Sequence, residues 1–193
     1  MIVIPQHIKG IIFDLDGTLA DTMPIHYKAC QLACREYGVE FPYDFFIEKA
    51  GIPTLKVFEL FVNTYDHKNI DGVVLGKQKE KLFLDLLSTT QAISAAETLL
   101  IQNLGKRKIA IGSGGQKISV VKTLKAIGHL EHIDVIVSAD DVTHHKPAPD
   151  TFLDCAKKLN LLPNECIVLE DAELGFEAAK QAGMEFIDIN NHI

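Results

Sequence analysis

The sequence has no excess of positive charge. Its 19 Lys and Arg face 26 Asp and Glu, a formal net charge of −7, so the basic footprint of a nucleic-acid-binding domain is missing. It has no long apolar run either. Nothing approaches the roughly 20 residues that cross a bilayer, and no membrane contact is expected. The opening MIVIPQHIKG is too short for a secretory signal and lacks its charged leading region. Cysteines are few: Cys30, Cys34, Cys155 and Cys166, with no C-x-x-C pair, which argues against zinc. Cys30 and Cys34 stand four apart on a predicted helix and read as packed thiols. Reduced thiols in the cytoplasm are the expectation. Internal repeats and low-complexity tracts are absent too. What remains is 193 residues, 47% hydrophobic and 23% charged. That composition is ordinary for a soluble globular chain, with room for one core or for a core and a small second domain.

Five short apolar runs, mostly β-branched, read as strands buried on both faces. They are 8–13 (IKGIIF), 108–112 (KIAIG), 134–138 (DVIVS), 166–169 (CIVL) and 185–189 (EFIDI). Helical patterns separate the later ones: AISAAETLLIQNLG stops at Gly105, QKISVVKTLKAIG at Gly128 and LGFEAAKQAG at Gly183, each a plausible helix-ending glycine. PAPDTFLDCAKKLNL has proline near its start, which suits a first helical turn. Alternation of strand and helix predicts a doubly wound α/β domain with a parallel sheet. Between Asp21 and about Gln91 no strand pattern occurs. MPIHYKACQLACREYG, TLKVFELFVNTY and VVLGKQKEKLFLDLL have apolar residues at helical spacing, with room for about four helices. A crossover needs only a dozen or more residues. The surplus therefore predicts an inserted all-helical domain, 21–90, within a core formed by 1–20 and 91–193.

In open α/β sheets, ligands bind beyond the C-terminal strand ends. The first strand delivers Asp14 and Asp16 there. The second delivers Ser113, then Gly114 and Gly115. The loop after the third supplies Lys146, and the fourth delivers Glu170 and Asp171. Each has a bland alternative. Ser113 could cap a helix, Lys146 could be a solvated loop lysine, and Glu170 and Asp171 could be charges favoured at a helix start. Asp-x-Asp is not an EF-hand loop, because Gly17 comes too early. Joint placement at strand ends favours a site. Four carboxylates so close require a cation among them, and oxygen-only donors suit Mg²⁺. Ser113 with the Gly114 and Gly115 amides predicts an anion nest, and Lys146 adds positive charge. The ligand that fits this set is a phosphoryl group.

FDLDGTLADT, IGSGG, HHKPAPD and VLEDAELG resemble, in order, the four motifs of the haloacid dehalogenase superfamily of phosphotransferases. The resemblance spans Phe13 to Gly175. The helical insert is similar to the small cap of the subfamily containing β-phosphoglucomutase and sugar-phosphate phosphatases. This implies a Rossmann-like core and Asp14 as nucleophile. It implies Asp16 as general acid/base, with Ser113, Gly114 and Lys146 on the phosphoryl oxygens. The implied Mg²⁺ ligands are Asp14, the Asp16 carbonyl, Glu170 and Asp171. Asp16 argues against a true dehalogenase, which lacks an aspartate there.

In the cap, Thr22 and His26 resemble positions that β-phosphoglucomutases place against the sugar and the acid/base loop. Lys79 resembles the cap lysine that works with that histidine. The competing reading of His26 is an ordinary helix-surface histidine. The mutase K-G-V-S-R loop has no counterpart, because Ala50 and Thr54 of KAGIPTLK stand where its lysine and arginine grip the sugar and its second phosphate. The chain is closer in this respect to small bacterial phosphatases acting on fructose 1-phosphate and related esters. A Mg²⁺-dependent phosphatase for a small phosphorylated sugar is the expectation, as a monomer by default. A β-phosphoglucomutase is the alternative, and a non-catalytic phosphate-binding protein the alternative of another class.

Overall fold

The computed structural model describes residues 2–193. Five strands, β1 (Gly10–Phe13), β2 (Lys108–Gly112), β3 (Val135–Val137), β4 (Cys166–Glu170) and β5 (Glu185–Asp188), form one sheet in the order β3-β2-β1-β4-β5. All pairings are parallel. Phe13 lies opposite both Ile111 and Leu169, so β1, β2 and β4 end on one rim. The chain runs outward through β2 and β3, then returns to the far side of β1 as β4. This reversal creates the crevice in which such sheets hold ligands.

The strands alternate their side chains between two apolar layers. Ile11, Phe13, Ile109, Ile111, Ile167 and Leu169 face one way, packed with α5 (Ser94–Asn103) and α6 (Lys117–Ala126). Ile12, Ala110 and Val168 face the other, against Phe152, Cys155 and Ala156 of α7 (Asp150–Leu159) and Ala178 and Ala179 of α8 (Glu173–Gln181). Burying each large aliphatic side chain contributes about 1.5–3 kcal/mol, which is why the runs carry so little polarity.

Strand ends differ from the sequence reading for local reasons. Ile8 belongs to a turn, its amide bonded to Pro5 O at 3.2 Å. Ser138 leaves β3 because its amide turns to Asp141 Oδ2 at 2.8 Å. β4 reaches Glu170 because that residue pairs with Asp188. Helix α7 begins at Asp150 with Pro149 as its N-cap, leaving Pro147 outside.

By contacts the chain divides into two compact units, residues up to Asp21 with Gln91–Ile193, and Thr22–Thr90. The second unit is all helical: α1 (Met23–Arg35), α2 (Tyr43–Glu48), α3 (Thr54–Thr64) and α4 (Gly72–Leu86). Its core is aromatic, with Phe41, Phe45, Phe58 and Phe61 packed on Cys30, Ala33, Cys34 and Leu75. Helix α2, six residues long, is too short to show a helical period in the sequence. Asp71 caps α4, its Oδ1 accepting from the amides of Val73 and Val74 at 2.8 and 3.2 Å. All four cysteines are free and buried. Burial pushes the Cys30 and Cys34 thiols up to about 12, so they pack as small apolar groups. Among the described residues, no helix is long and apolar enough to cross a membrane.

Candidate active site

Asp14 leaves β1 while its amide still donates to Leu169 O at 2.9 Å. The chain then turns sharply. Leu15 O accepts from the amides of Leu19 and Ala20 at 3.1 and 2.8 Å, and Gly17 takes φ 91°, a conformation that favours glycine. A Cβ at Gly17 would lie 2.5 Å from Asp171 Oδ2, so glycine lets the turn approach that carboxylate. Next in the chain, the Thr18 hydroxyl donates to Asp171 Oδ1 at 2.7 Å.

Lys146 binds both sides of the crevice. Its Nζ is 2.7 Å from Asp14 Oδ1 and 2.7 Å from Glu170 Oε1, and it lies over the Phe152 ring at 4.7 Å. The side chains of Lys146, Asp14 and Glu170 are only 5%, 10% and 3% exposed. Glu170 Oε2 accepts from the amides of Asp171 and Ala172 at 2.7 and 2.8 Å. Space for Glu170 comes from Gly175: a Cβ there would fall 1.8 Å from Glu170 Oε1.

Charge in this cluster is unbalanced. Burial raises Asp14 well above the ordinary carboxylate range; Lys146 pulls it down, while Glu170 and Asp171 push it up. Burial, reinforced by the charge of Glu170, raises Asp171 to about 6. Burial alone would lower Lys146, but Asp14 and Glu170 hold it above the ordinary lysine value. One ammonium thus faces three carboxylates, and a further cation would relieve them. One oxygen from each of Asp14, Glu170 and Asp171 lies within 4.8 Å of the others. This all-oxygen set fits a hard divalent ion. Glu170 already accepts three hydrogen bonds, so Asp14 and Asp171 have more lone-pair capacity to offer.

Ser113 follows β2 and is buried, with 1% exposure. It is not a helix cap, since Gln116 holds that position for α6. The Gly115 amide donates to Ser113 Oγ at 3.0 Å, which leaves the hydroxyl proton of Ser113 to donate elsewhere. This corrects the expected nest. The Gly115 amide is spent within the loop, and the amide of Lys117 is taken by Asp140 Oδ2 at 2.8 Å. Asp16 lies beside this loop, with Oδ2 3.6 Å from where a Gly115 Cβ would stand. The acidic SADD segment has local duties, because Asp141 accepts from both the amide and the hydroxyl of Ser138. His144 pairs with Asp150 at 2.9 Å.

In the helical unit, Thr22 is a buried residue at the N-cap of α1, and its carbonyl accepts from the His26 amide at 2.8 Å. His26 and Lys79 meet, His26 Nδ1 lying 2.7 Å from Lys79 Nζ. The imidazole stacks on Phe83 with centroids 3.9 Å apart and planes 10° apart. His26 is half-buried, with Lys79 and Phe83 as neighbours of its ring. Thr54 opens α3 and donates its hydroxyl to Glu80, which is also 3.1 Å from Lys79 Nζ. Thr18, Gly175 and Glu80 were missed in the sequence. The first two lie inside the DLDGTL and VLEDAELG motifs, whereas nothing in the local pattern marks Glu80.

Comparison with known proteins agrees with this architecture. A sequence model of the family described as haloacid dehalogenase-like hydrolase matches residues 11–189. Fructose-1-phosphate phosphatase YqaB of Escherichia coli is 34% identical over 95% of this chain and 97% of its own length. β-Phosphoglucomutase of Bacillus subtilis is 27% identical over 91% of this chain and 80% of its own. The crystal structure of β-phosphoglucomutase from Clostridium difficile superposes with a TM-score of 0.83 at 28% identity, covering 94% of this chain and 84% of that one. With a parallel sheet that gathers Asp14, Lys146, Glu170 and Asp171 at its reversal point, and a family match over nearly its whole length, the chain belongs to the haloacid dehalogenase-like hydrolases.

Proposed function

We propose that the chain is a Mg²⁺-dependent phosphatase for small sugar phosphates of the fructose 1-phosphate type, working through a phosphorylated Asp14. The observation that carries this reading is the clamp on Asp14, with Lys146 Nζ 2.7 Å from Oδ1 and both side chains almost wholly buried. The clamp orients the carboxylate and leaves Oδ2 to attack phosphorus. As the ester bond breaks, the electron pair goes to the leaving sugar oxygen, and Asp16 supplies its proton. Asp16 then takes a proton from the water that attacks the aspartyl phosphate, releasing inorganic phosphate and restoring Asp14. Lys146, the Ser113 hydroxyl and the Gly114 amide receive the phosphoryl oxygens. Mg²⁺ would be held by Asp14, the Asp16 carbonyl and Asp171, backed by Glu170, and would neutralise charge on the transferring group. The resemblance of Thr22, His26 and Lys79 to mutase cap positions supports a role for them in sugar recognition.

The similarity to named phosphatase and mutase relatives leaves two reactions to separate. The His26–Lys79 contact favours the mutase reading, since both positions resemble mutase residues. Thr54 favours hydrolysis. A mutase must grip a bisphosphate in two orientations, and the residue in the place of the distal arginine here is a threonine bonded to Glu80. The deciding assay follows phosphate release from a panel of sugar monophosphates with Mg²⁺, beside formation of glucose 6-phosphate from β-glucose 1-phosphate primed with the bisphosphate. Free phosphate without isomerisation supports the phosphatase. Primed isomerisation with little phosphate release overturns it.

A further inference from the structure

Asp171 is held by its backbone as well as by its side chain. The Asp171 amide donates to Glu170 Oε2 at 2.7 Å. The next peptide group is held at both ends. Its N–H, on Ala172, donates to the same oxygen at 2.8 Å, and its C=O, on Asp171, accepts from Asn190 Nδ2 at 2.8 Å. A planar peptide held at both ends resists turning, so the direction in which the Asp171 side chain leaves the chain is set. The Thr18 hydroxyl then holds its Oδ1 at 2.7 Å.

Asn190 lies in the single 3₁₀ turn that follows β5, Ile189–Asn191. Ile189 anchors this turn, fully buried in the same apolar layer as Phe13 and Leu169. Asp188, the register partner of Glu170, caps it. Its Oδ1 accepts from the Asn190 amide at 2.9 Å and its Oδ2 from Asn191 Nδ2 at 3.0 Å. Those bonds already close the turn. The Asn190 side chain reaches further: its Nδ2 donates to Asp188 Oδ1 at 2.9 Å and to the Asp171 carbonyl, 19 residues away. Two acceptors thus meet the two N–H groups of one amide nitrogen. A carboxylate in its place would set oxygen against oxygen.

We propose that Asn190 is a positioning residue for the metal ligand Asp171: by tying the Asp171 carbonyl to the Asp188 carboxylate, it fixes the backbone from which the Asp171 side chain reaches the ion. This rests on the Mg²⁺ reading above. Asp14, Glu170 and Asp171 offer oxygens within 4.8 Å of one another. Mg²⁺ demands near-ideal octahedral geometry with bonds of about 2.0–2.1 Å, so a small swing of one ligand costs affinity. Asn190 acts through the Asp171 backbone and carries no charge. Its loss therefore weakens the hold on the ion without altering the charge of the site.

The test has two arms. Hydrogen exchange, followed by NMR on the metal-free full-length protein, reads the Ala172 amide at the far end of the peptide that Asn190 holds. Exchange there should quicken about tenfold in N190A. It should match the wild type in N191A, which loses a bond to Asp188 but none to Asp171. Titration calorimetry with MgCl₂ forms the second arm. The Kd should rise about tenfold in N190A and stay near the wild-type value in N191A. N190D separates geometry from charge. Its added negative charge alone would tighten a cation, whereas its lost donor would loosen Asp171; the proposal predicts weaker binding. Unchanged Ala172 exchange or unchanged Kd in N190A, an equal loss in N191A, or tighter binding in N190D would overturn the proposal. Binding of Mg²⁺ by D171N as tight as by wild type would instead count against Asp171 as a ligand, and the exchange arm would still decide whether Asn190 holds the peptide.

Discussion

Gly175 offers a sharp test of the site because two effects predict opposite signs. It is the third residue of α8 (Glu173–Gln181). Helix propensity alone makes Gly→Ala stabilising there by up to about 1 kcal/mol. The added methyl, however, would stand 1.8 Å from Glu170 Oε1 and 2.0 Å from Cδ. Glu170 cannot simply swing away, because Lys146 and the amides of Asp171 and Ala172 pin it. Overpacking typically costs about 1–3 kcal/mol, and losing the charged hydrogen bond to Lys146 adds about 1.5–3 kcal/mol. Clash therefore beats propensity, with a net loss of about 2–5 kcal/mol and a fall in Tm of roughly 4–20 °C for a chain of this length. Calorimetry and denaturant unfolding of G175A measure this directly. In an E170A background the methyl has room, so the same change should cost less than about 1 kcal/mol. Equal or greater stability of G175A in the wild-type background would refute the close packing of Glu170 on α8.

Two further predictions concern ions. The metal reading predicts that Mg²⁺ at a hundredfold excess over its Kd raises stability by about 2.7 kcal/mol, seen as a higher Tm in G175-intact protein. The gain should vanish in D171N, and an equal gain there would contradict Asp171 as a ligand. Burial alone would raise Asp141, but the hydroxyl and amide of Ser138 and the ammonium of Lys117 bring it down to about 2. A folded-state value below the unfolded one stabilises at pH above about 4, and that contribution is lost as pH falls from about 4 to about 2. D141N should therefore be less stable than wild type at neutral pH and converge with it near pH 2; a constant gap in unfolding midpoints would refute the assignment.

Much of the sheet was legible because strands covered on both faces must be apolar throughout, so CIVL and KIAIG stand out from the amphipathic helices around them. The strand ends were less so. Ser138 is set by its bond to Asp141, and Glu170 by its pairing with Asp188, interactions that no window of sequence displays. Helix α2 escaped because six residues are under two helical turns. At the site, Asp14, Ser113, Lys146, Glu170 and Asp171 could be grouped because strand ends converge in this type of sheet. The internal bookkeeping of hydrogen bonds could not. Gly115 gives its amide to Ser113, and Asp140 takes the first amide of α6, because loop amides bond whichever acceptor folds closest. Glu80 and Thr54 are 26 residues apart in sequence and meet only through the packing of α3 on α4.

The central claim is that Asp14 takes the phosphoryl group. Its most direct test is an acid quench of the protein turning over ³²P-labelled sugar phosphate with Mg²⁺, followed by peptide mapping and a parallel assay of D14N. The account predicts label on the peptide that contains Asp14, and no label and no measurable turnover in D14N. Turnover of D14N at the wild-type rate, or label on another residue, would contradict it.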